Sequence, residues 1–205
     1  MMFTTAIFVA ALAPFAHGWP VFPLPCSLFS GPSCICPLGT DYSESATVAL
    51  IGATASNVGR KVNEFGDILW QGLVPSGLQG PPNTPLLSRR YVNYTTSVGA
   101  YTFEEQLVTR LVWLDGSFEQ FYQQRGIIPY YSGNGSFSGN WVTIKGDRIF
   151  DNQTLVRYSS YSCQTGHPID FAARRESSLN NVTVILEAEG SLLAPSTFAV
   201  SSQLW

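Results

Sequence analysis

The sequence predicts an α+β fold: a curved antiparallel sheet of six or seven strands around one long C-terminal helix, with two short helices after the first strand. Three observations predict it. Leu86 to Cys163 reads as strand after strand, with the Asp115-Gly116 hairpin signal between two of them. Pro168 to about Leu193 carries a helical pattern. Between the N-terminal strand Thr47–Ala53 and this run lie two short helical stretches. A sheet held against a single helix tends to leave space inside, and such space implies a ligand.

Each element has its own signal. Ser56 is placed to cap a helix whose apolar face is Val58, Val62 and Phe65, and a second short helix carries Ile68, Leu69 and Trp70. Leu73 to Pro85 is rich in proline and glycine and reads as loop. Strands follow at Leu86–Val92, Tyr101–Leu114, Ser117–Arg125, Gly139–Lys145 and Gln153–Cys163. A seventh falls around Arg148 to Phe150, and Gly126 to Ser138 reads as loop. In the long strand, Phe103, Glu105, Leu107, Thr109, Leu111 and Trp113 share the more apolar face, which places Glu105 inside. A carboxylate there needs a partner or a raised pKa. In the closing helix Ala172, Glu176, Leu179, Val182, Thr183 and Leu186 form one stripe, with Asn181 nearly opposite.

The N-terminus suggests export. Residues 1–18 resemble a signal peptide without its basic start, since Phe3 to Ala13 is almost wholly apolar and Ala16-His17-Gly18 is small-residue-like. That run is too short to span a bilayer, and no stable membrane insertion is expected. Residues 19–42 form a disulfide-rich segment, 43–193 the main domain and 194–205 a tail. Cys26, Cys34, Cys36 and Cys163 read as two disulfides, one local and one joining the N-terminal cluster to Cys163. Their spacing is not that of a zinc site. Asn93, Asn134, Asn152 and Asn181 head glycosylation sequons. Secretion, or residence in the secretory lumen, accounts for both features.

Composition bounds the partners. Charged residues are 12% of the chain, about half the usual share of about 25%, and the net charge is −3. No basic cluster exceeds two residues, so nucleic acid is not an expected partner. Aromatic residues reach 13%. Phe103, Trp113, Tyr122, Trp141, Tyr158 and Tyr161 are candidate ligand-binding residues and Tyr130 a further pocket candidate, with the set expected to be mainly core and a minority of it to touch ligand. No Gly-X-Ser-X-Gly elbow or His-Glu-X-X-His motif occurs, and no metal site is expected.

The order of elements resembles the helix-grip proteins, the Bet v 1/START-like superfamily that includes polyketide cyclase/dehydratase-like members. The resemblance runs through Val48–Ala53, then Val58, Val62 and Phe65, then Gly99-Ala-Tyr-Thr-Phe-Glu-Glu-Gln-Leu107, Trp141-Val-Thr, Thr154-Leu-Val-Arg-Tyr-Ser and the final helix. It covers about Thr47 to Leu193. It implies a cavity between sheet and helix that holds a lipid, sterol, polyketide or other hydrophobic compound, in some members with cyclisation, dehydration or isomerisation and no cofactor. The expected function is therefore a cofactor-independent cyclase, isomerase, pericyclase or dehydratase acting on a hydrophobic polyketide or terpenoid intermediate of secondary metabolism. The alternative is a secreted carrier of a hydrophobic metabolite without chemistry. A third option is a host-interaction protein acting through its glycosylated surface. For the enzyme, Glu105 and Glu176 are the candidate acids, and His167 with Asp170 a candidate acid/base pair at the rim. The same residues have plain roles available: Glu105 paired with Arg90 or Arg157, and His167 to Asp170 starting the helix.

Overall fold

The structure is a computed structural model; it describes residues 35–96, 99–130, 133, 135–166 and 169–203. The proposed signal segment, Cys26, Cys34, Asn134 and His167 lie outside the described residues.

The elements run β1 (Asp41–Ile51), α1 (Ala55–Val62), a 3-10 turn (Leu69–Gln71), β2 (Gly77–Gln79), β3 (Arg89–Thr96), β4 (Gly99–Val112) and β5 (Phe118–Gln124). Then come β6 (Ile128–Pro129), β7 (Gly135–Phe150), β8 (Gln153–Gly166), α2 (Ala172–Ala188) and β9 (Val200–Gln203). The α+β class and the long C-terminal helix stand. The curved sheet of six or seven strands does not. The described residues form one nine-stranded sheet running as an open path β2-β3-β4-β5-β7-β8-β1-β9, with β6 on β7. All pairings are antiparallel.

The additional strands come from segments read as loop or tail. β2 sits in the proline-rich stretch and β6 in the loop after β5. β9 falls within the tail and pairs with β1, from Ser45–Gln203 to Val48–Val200. Two to four residues of backbone pairing are too short to leave a period in the sequence. The suspected seventh strand at Arg148 to Phe150 is the far end of β7. The helix cap also differs. Thr54, not Ser56, accepts the Asn57 amide at 3.2 Å, so α1 starts one residue before Ser56.

α2 ends by an identifiable device. Gly190 adopts a left-handed φ of 68°. Its amide donates to Glu187 O at 2.9 Å, and the Ser191 amide donates to Leu186 O at 2.8 Å, the paired bonds of a Schellman ending. The chain then crosses the end of β1, where the Leu193 amide donates to Gly52 O at 2.7 Å. A Cβ on Gly52 would meet Ala194 O at 1.7 Å, so only glycine admits this crossing.

One face of the sheet carries both short helices and α2. Ile51, Val58, Val62, Phe65, Leu107, Tyr122, Ile144, Val156, Leu179, Val182 and Leu186 form the main core there. Burial of each large apolar side chain contributes about 1.5–3 kcal/mol. A second cluster contains Tyr94 of β3, Tyr101 and Phe103 of β4, Tyr130 after β6 and Phe137 of β7, with Phe171 against it. The opposite face holds a smaller cluster of Trp141, Tyr161 and Cys163, packed with Cys36 and Phe121.

Cys36 is bonded to Cys163, with Cα atoms 5.5 Å apart, and this ties the segment before β1 to the end of β8 across 127 residues. Closing so long a loop restricts the unfolded chain strongly. The double variant Cys36→Ser/Cys163→Ala is expected to lose about 3–5 kcal/mol in a denaturant titration. A loss under about 1 kcal/mol would mean that the bridge fastens nothing the sheet does not already hold.

Candidate functional site

A cavity opens where the two inner clusters meet beneath α2. Tyr94 of β3, Phe103 and Glu105 of β4, Tyr122 of β5, Asn140 and Val142 of β7, and Tyr158 and Ser160 of β8 form its sheet side. Phe171, Arg174 and Arg175 close it from the start of α2. Counting its open mouth, the space free of protein atoms is about 400 Å³. Only about 30 Å³ of it admits a water-sized sphere, far below the range for small-molecule sites, so any ligand larger than a water enters only when the wall moves.

Glu105 faces this cavity, as the strand alternation predicts, and is 2% exposed. It stands directly opposite Arg90 in the β3–β4 register. Arg90 Nε donates to Glu105 Oε2 at 2.6 Å, and Nη1 donates to Phe65 O at 2.8 Å. The Arg90 guanidinium lies between the Phe65 and Tyr122 rings, at 4.5 and 4.4 Å from their centroids. Burial alone would lower the Arg90 pKa, but the Glu105 charge outweighs it and holds the pKa above its ordinary value. Of the two expected partners, Arg90 is therefore the one that Glu105 takes. Tyr94 adds a long hydrogen bond, its hydroxyl donating to Glu105 Oε1 at 3.4 Å.

Tyr122 and Tyr158 face each other with their hydroxyls 3.2 Å apart. Burial raises the pKa of both, and of Tyr94, so all three stay neutral at physiological pH. Their hydroxyls are then donors or acceptors for a ligand, not bases.

Other sequence candidates lie elsewhere. Glu176 is half-buried, but its Oε1 accepts the Ser201 amide at 2.8 Å and so fastens β9 to α2. Asp170 is exposed and lies just outside α2, which begins at Ala172 with Phe171 as its cap residue, later than the sequence suggested; its Oδ1 accepts the Ala172 amide at 2.8 Å. Trp113 is 44% exposed in the β4–β5 turn. The cause is a register shift between Leu107 and Thr109, which turns the rest of β4 over, so that Leu111 and Trp113 leave the inner face. Trp141 and Tyr161 pack on the far side of the sheet, their rings 5.2 Å apart beside the disulfide. Phe103, Tyr122 and Tyr158 do line the cavity. Tyr130 is buried beside Phe137 and its hydroxyl donates to Gln164 Oε1 at 2.9 Å.

Among the sequon asparagines, Asn93 is exposed and accepts the Thr102 hydroxyl, and Asn152 sits in the β7–β8 turn. Asn181 is not on the solvent side as the helical phase suggested. It is half-buried, and its Nδ2 donates to Trp70 O at 3.1 Å.

The residue that sequence reasoning missed is Arg175. It is 3% exposed and lines the cavity. Its Nε donates to Thr47 Oγ1 at 3.1 Å, Nη1 to Ser160 Oγ at 2.7 Å, and Nη2 to the Ser45 hydroxyl. Burial lowers its pKa from the ordinary value, yet an arginine remains charged at neutral pH. The signal was present: Arg175 is in phase with Leu179, Val182 and Leu186 at spacings of four, three and four. Arg174 is half-buried and lies over the Tyr94 ring at 4.9 Å.

The comparisons agree with this architecture. A protein-family model described as START domain matches residues 42–201. The chain belongs to the START domain family. Solved structures similar to this START domain include a Nitrosospira multiformis protein, with TM-score 0.52, 13% identity, and coverage of 72% of this chain and 98% of that one. Norcoclaurine synthase from Thalictrum flavum appears as a point mutant with a transition-state analogue, at TM-score 0.52, 11% identity, and coverage of 76% and 100%. The same enzyme with dopamine and hydroxybenzaldehyde gives TM-score 0.51, 10% identity, and coverage of 74% and 90%. At such identities the likeness is one of fold. No curated protein matches the sequence. Among the described residues no group of three His, Cys, Asp or Glu is placed to hold a metal ion, and no helix is long and apolar enough to cross a membrane.

The raised tyrosines set an alkaline limit. Their folded pKa values lie above the unfolded value of about 10, so the folded state keeps protons that the unfolded state loses. Stability is complete below about pH 10 and falls above it, by up to about 1.4 kcal/mol per pH unit for each tyrosine involved. Urea titrations from pH 7 to 11 check this, and an unchanged midpoint at pH 11 would contradict it.

Proposed function

We propose that the protein holds a small hydrophobic metabolite in the cavity beneath α2 and carries it without chemical change. The observation that carries this reading is the state of Glu105. It is the one carboxylate in the cavity wall, and Arg90 already occupies it. A general acid must reach the substrate, and this carboxylate is engaged by the Arg90 guanidinium at 2.6 Å instead. Glu176, the intended second acid, is bonded to β9. The rest of the wall, with its Phe, Tyr and Val side chains and a few hydroxyls, suits retention of an apolar, ring-bearing compound oriented by one or two polar contacts. The Thalictrum protein of the same fold is solved in complex with dopamine and hydroxybenzaldehyde, and ring compounds of that size would enter here as the start of α2 moves off the sheet. The enzyme expectation, a polyketide or terpenoid cyclase or isomerase, has less support, because the paired cavity acids it called for do not come together.

The setting we propose is the secretory pathway. The Cys36–Cys163 bond suits an oxidising compartment, and the exposed sequon residue Asn93 is a glycan acceptor of the kind used there.

Two measurements test the carrier reading. Protein purified from a secreting host should release a hydrophobic compound on organic extraction, detected by mass spectrometry, and that compound should be unchanged after prolonged incubation with the protein. A neutral naphthalene dye should bind with enhanced fluorescence, and Asn140→Trp, at a half-buried wall position, should weaken it at least tenfold with the far-UV circular dichroism retained. Conversion of the released compound would favour the enzyme. Dye binding indifferent to Asn140→Trp would place the ligand elsewhere.

A further inference from the structure

Arg175 has no carboxylate in contact: Asp170 and Glu176 act on its charge, but from beyond ion-pair distance. All fourteen Asp and Glu residues of the chain fall among the described residues, and none forms an ion pair with Arg175 or Arg174. The partners of Arg175 are three neutral hydroxyls, Ser45, Thr47 and Ser160. They take three of its five N–H donors and leave one on each terminal nitrogen. Arg90, the other deeply buried arginine in this core, has its counter-charge in Glu105. A buried cation without one is costly to keep, and a protein that keeps it gains where an anion arrives to pair with it.

The surroundings specify the anion. Arg175 and Arg174 are adjacent in α2 and line the same cavity, whose remaining polar wall is the Asn140 amide, hydroxyls and the Glu105 carboxylate that Arg90 pairs. With the Glu105 charge balanced by Arg90, these two guanidiniums make the cavity electropositive in a chain whose net charge is −3. A guanidinium matches a planar carboxylate through two parallel hydrogen bonds. The rings of Tyr94, Phe103, Tyr122, Tyr158 and Phe171 provide the apolar seat next to it.

We infer that the ligand is an apolar, ring-bearing carboxylate, its acid group seated on Arg175 near Arg174 and its apolar body among the cavity aromatics. This rests on the carrier reading and adds the charge of the cargo to it. The hydroxyl clamp from Ser45, Thr47 and Ser160 holds the guanidinium in place before the acid arrives, so little ordering remains to be done on binding.

The test compares 1-naphthaleneacetate with its neutral amide by calorimetry at neutral pH. Wild-type protein is expected to bind the acid at least tenfold more tightly than the amide, with the preference shrinking as salt is added. In Arg175→Met the ratio should fall to within about threefold of unity, whereas Arg157→Met, an exposed control, should keep it. Equal wild-type affinity for acid and amide would overturn the inference, as would a preference that survives in folded Arg175→Met. The wild-type comparison decides the matter alone if that variant fails to fold. Amide binding without an acid preference removes this inference and leaves the carrier standing. Failure of both probes, together with failure of the neutral dye, removes both.

Discussion

The buried pair of Arg90 and Glu105 is the interaction on which the site depends. It joins β3 to β4 at one register position, reaches the chain after α1 through Phe65 O, and fixes two rings by holding a guanidinium between them. Each contact sets part of the cavity wall or what lies behind it. The pair adds little net stability compared with an apolar replacement, because removing two charges from water costs about as much as their attraction returns. Its effect is on specification: with either partner alone, an unpaired charge would remain in the core. The same fact bears on function, since a carboxylate so engaged is a structural element of the wall.

α2 is located by polar as well as apolar contacts. Leu179, Val182 and Leu186 supply the burial, while Arg175 reaches β1 and β8 through hydroxyls. The chain after α2 adds a second fastening, because Glu176 accepts from Ser201 and Asn180 Oδ1 accepts the Ala199 amide. The apolar half of the helix thus completes the core and its first turns complete the cavity. The cavity stays open there because Arg174, Arg175 and Phe171 replace the leucines and valine that would otherwise fill it.

Much of this was legible in the residues. The order of elements, the inner phase of Phe103 and Glu105, and the placement of a long final helix all follow from periods of two and 3.6. What failed did so for physical reasons. The shift after Leu107 reverses every later side chain of β4, and nothing in the local sequence announces it. β9 exists through a partner near the other end of the chain, while β2 and β6 pair with the next strand and are too short to leave a period. Trp141 and Tyr161 were chosen by residue type, although parity separates them. Tyr158 and Tyr161 are an odd number of residues apart in one strand and therefore face opposite sides. The phase of Arg175 with Leu179 places it inside, against the ordinary preference of a charged side chain for solvent. A charged residue in an apolar stripe reads as a defect until its buried partners are seen.

The central claim is that Glu105 is part of the frame of a holding site and not its acid. A double-mutant cycle on Arg90→Met and Glu105→Leu, read by denaturant titration with neutral-dye binding followed alongside, tests it most directly. The account predicts a loss of about 3–5 kcal/mol for either single change, recovery of most of that loss in the double variant, and dye binding in the recovered protein. Additive losses in the double variant, or a Glu105→Leu protein as stable as the wild type, would contradict it.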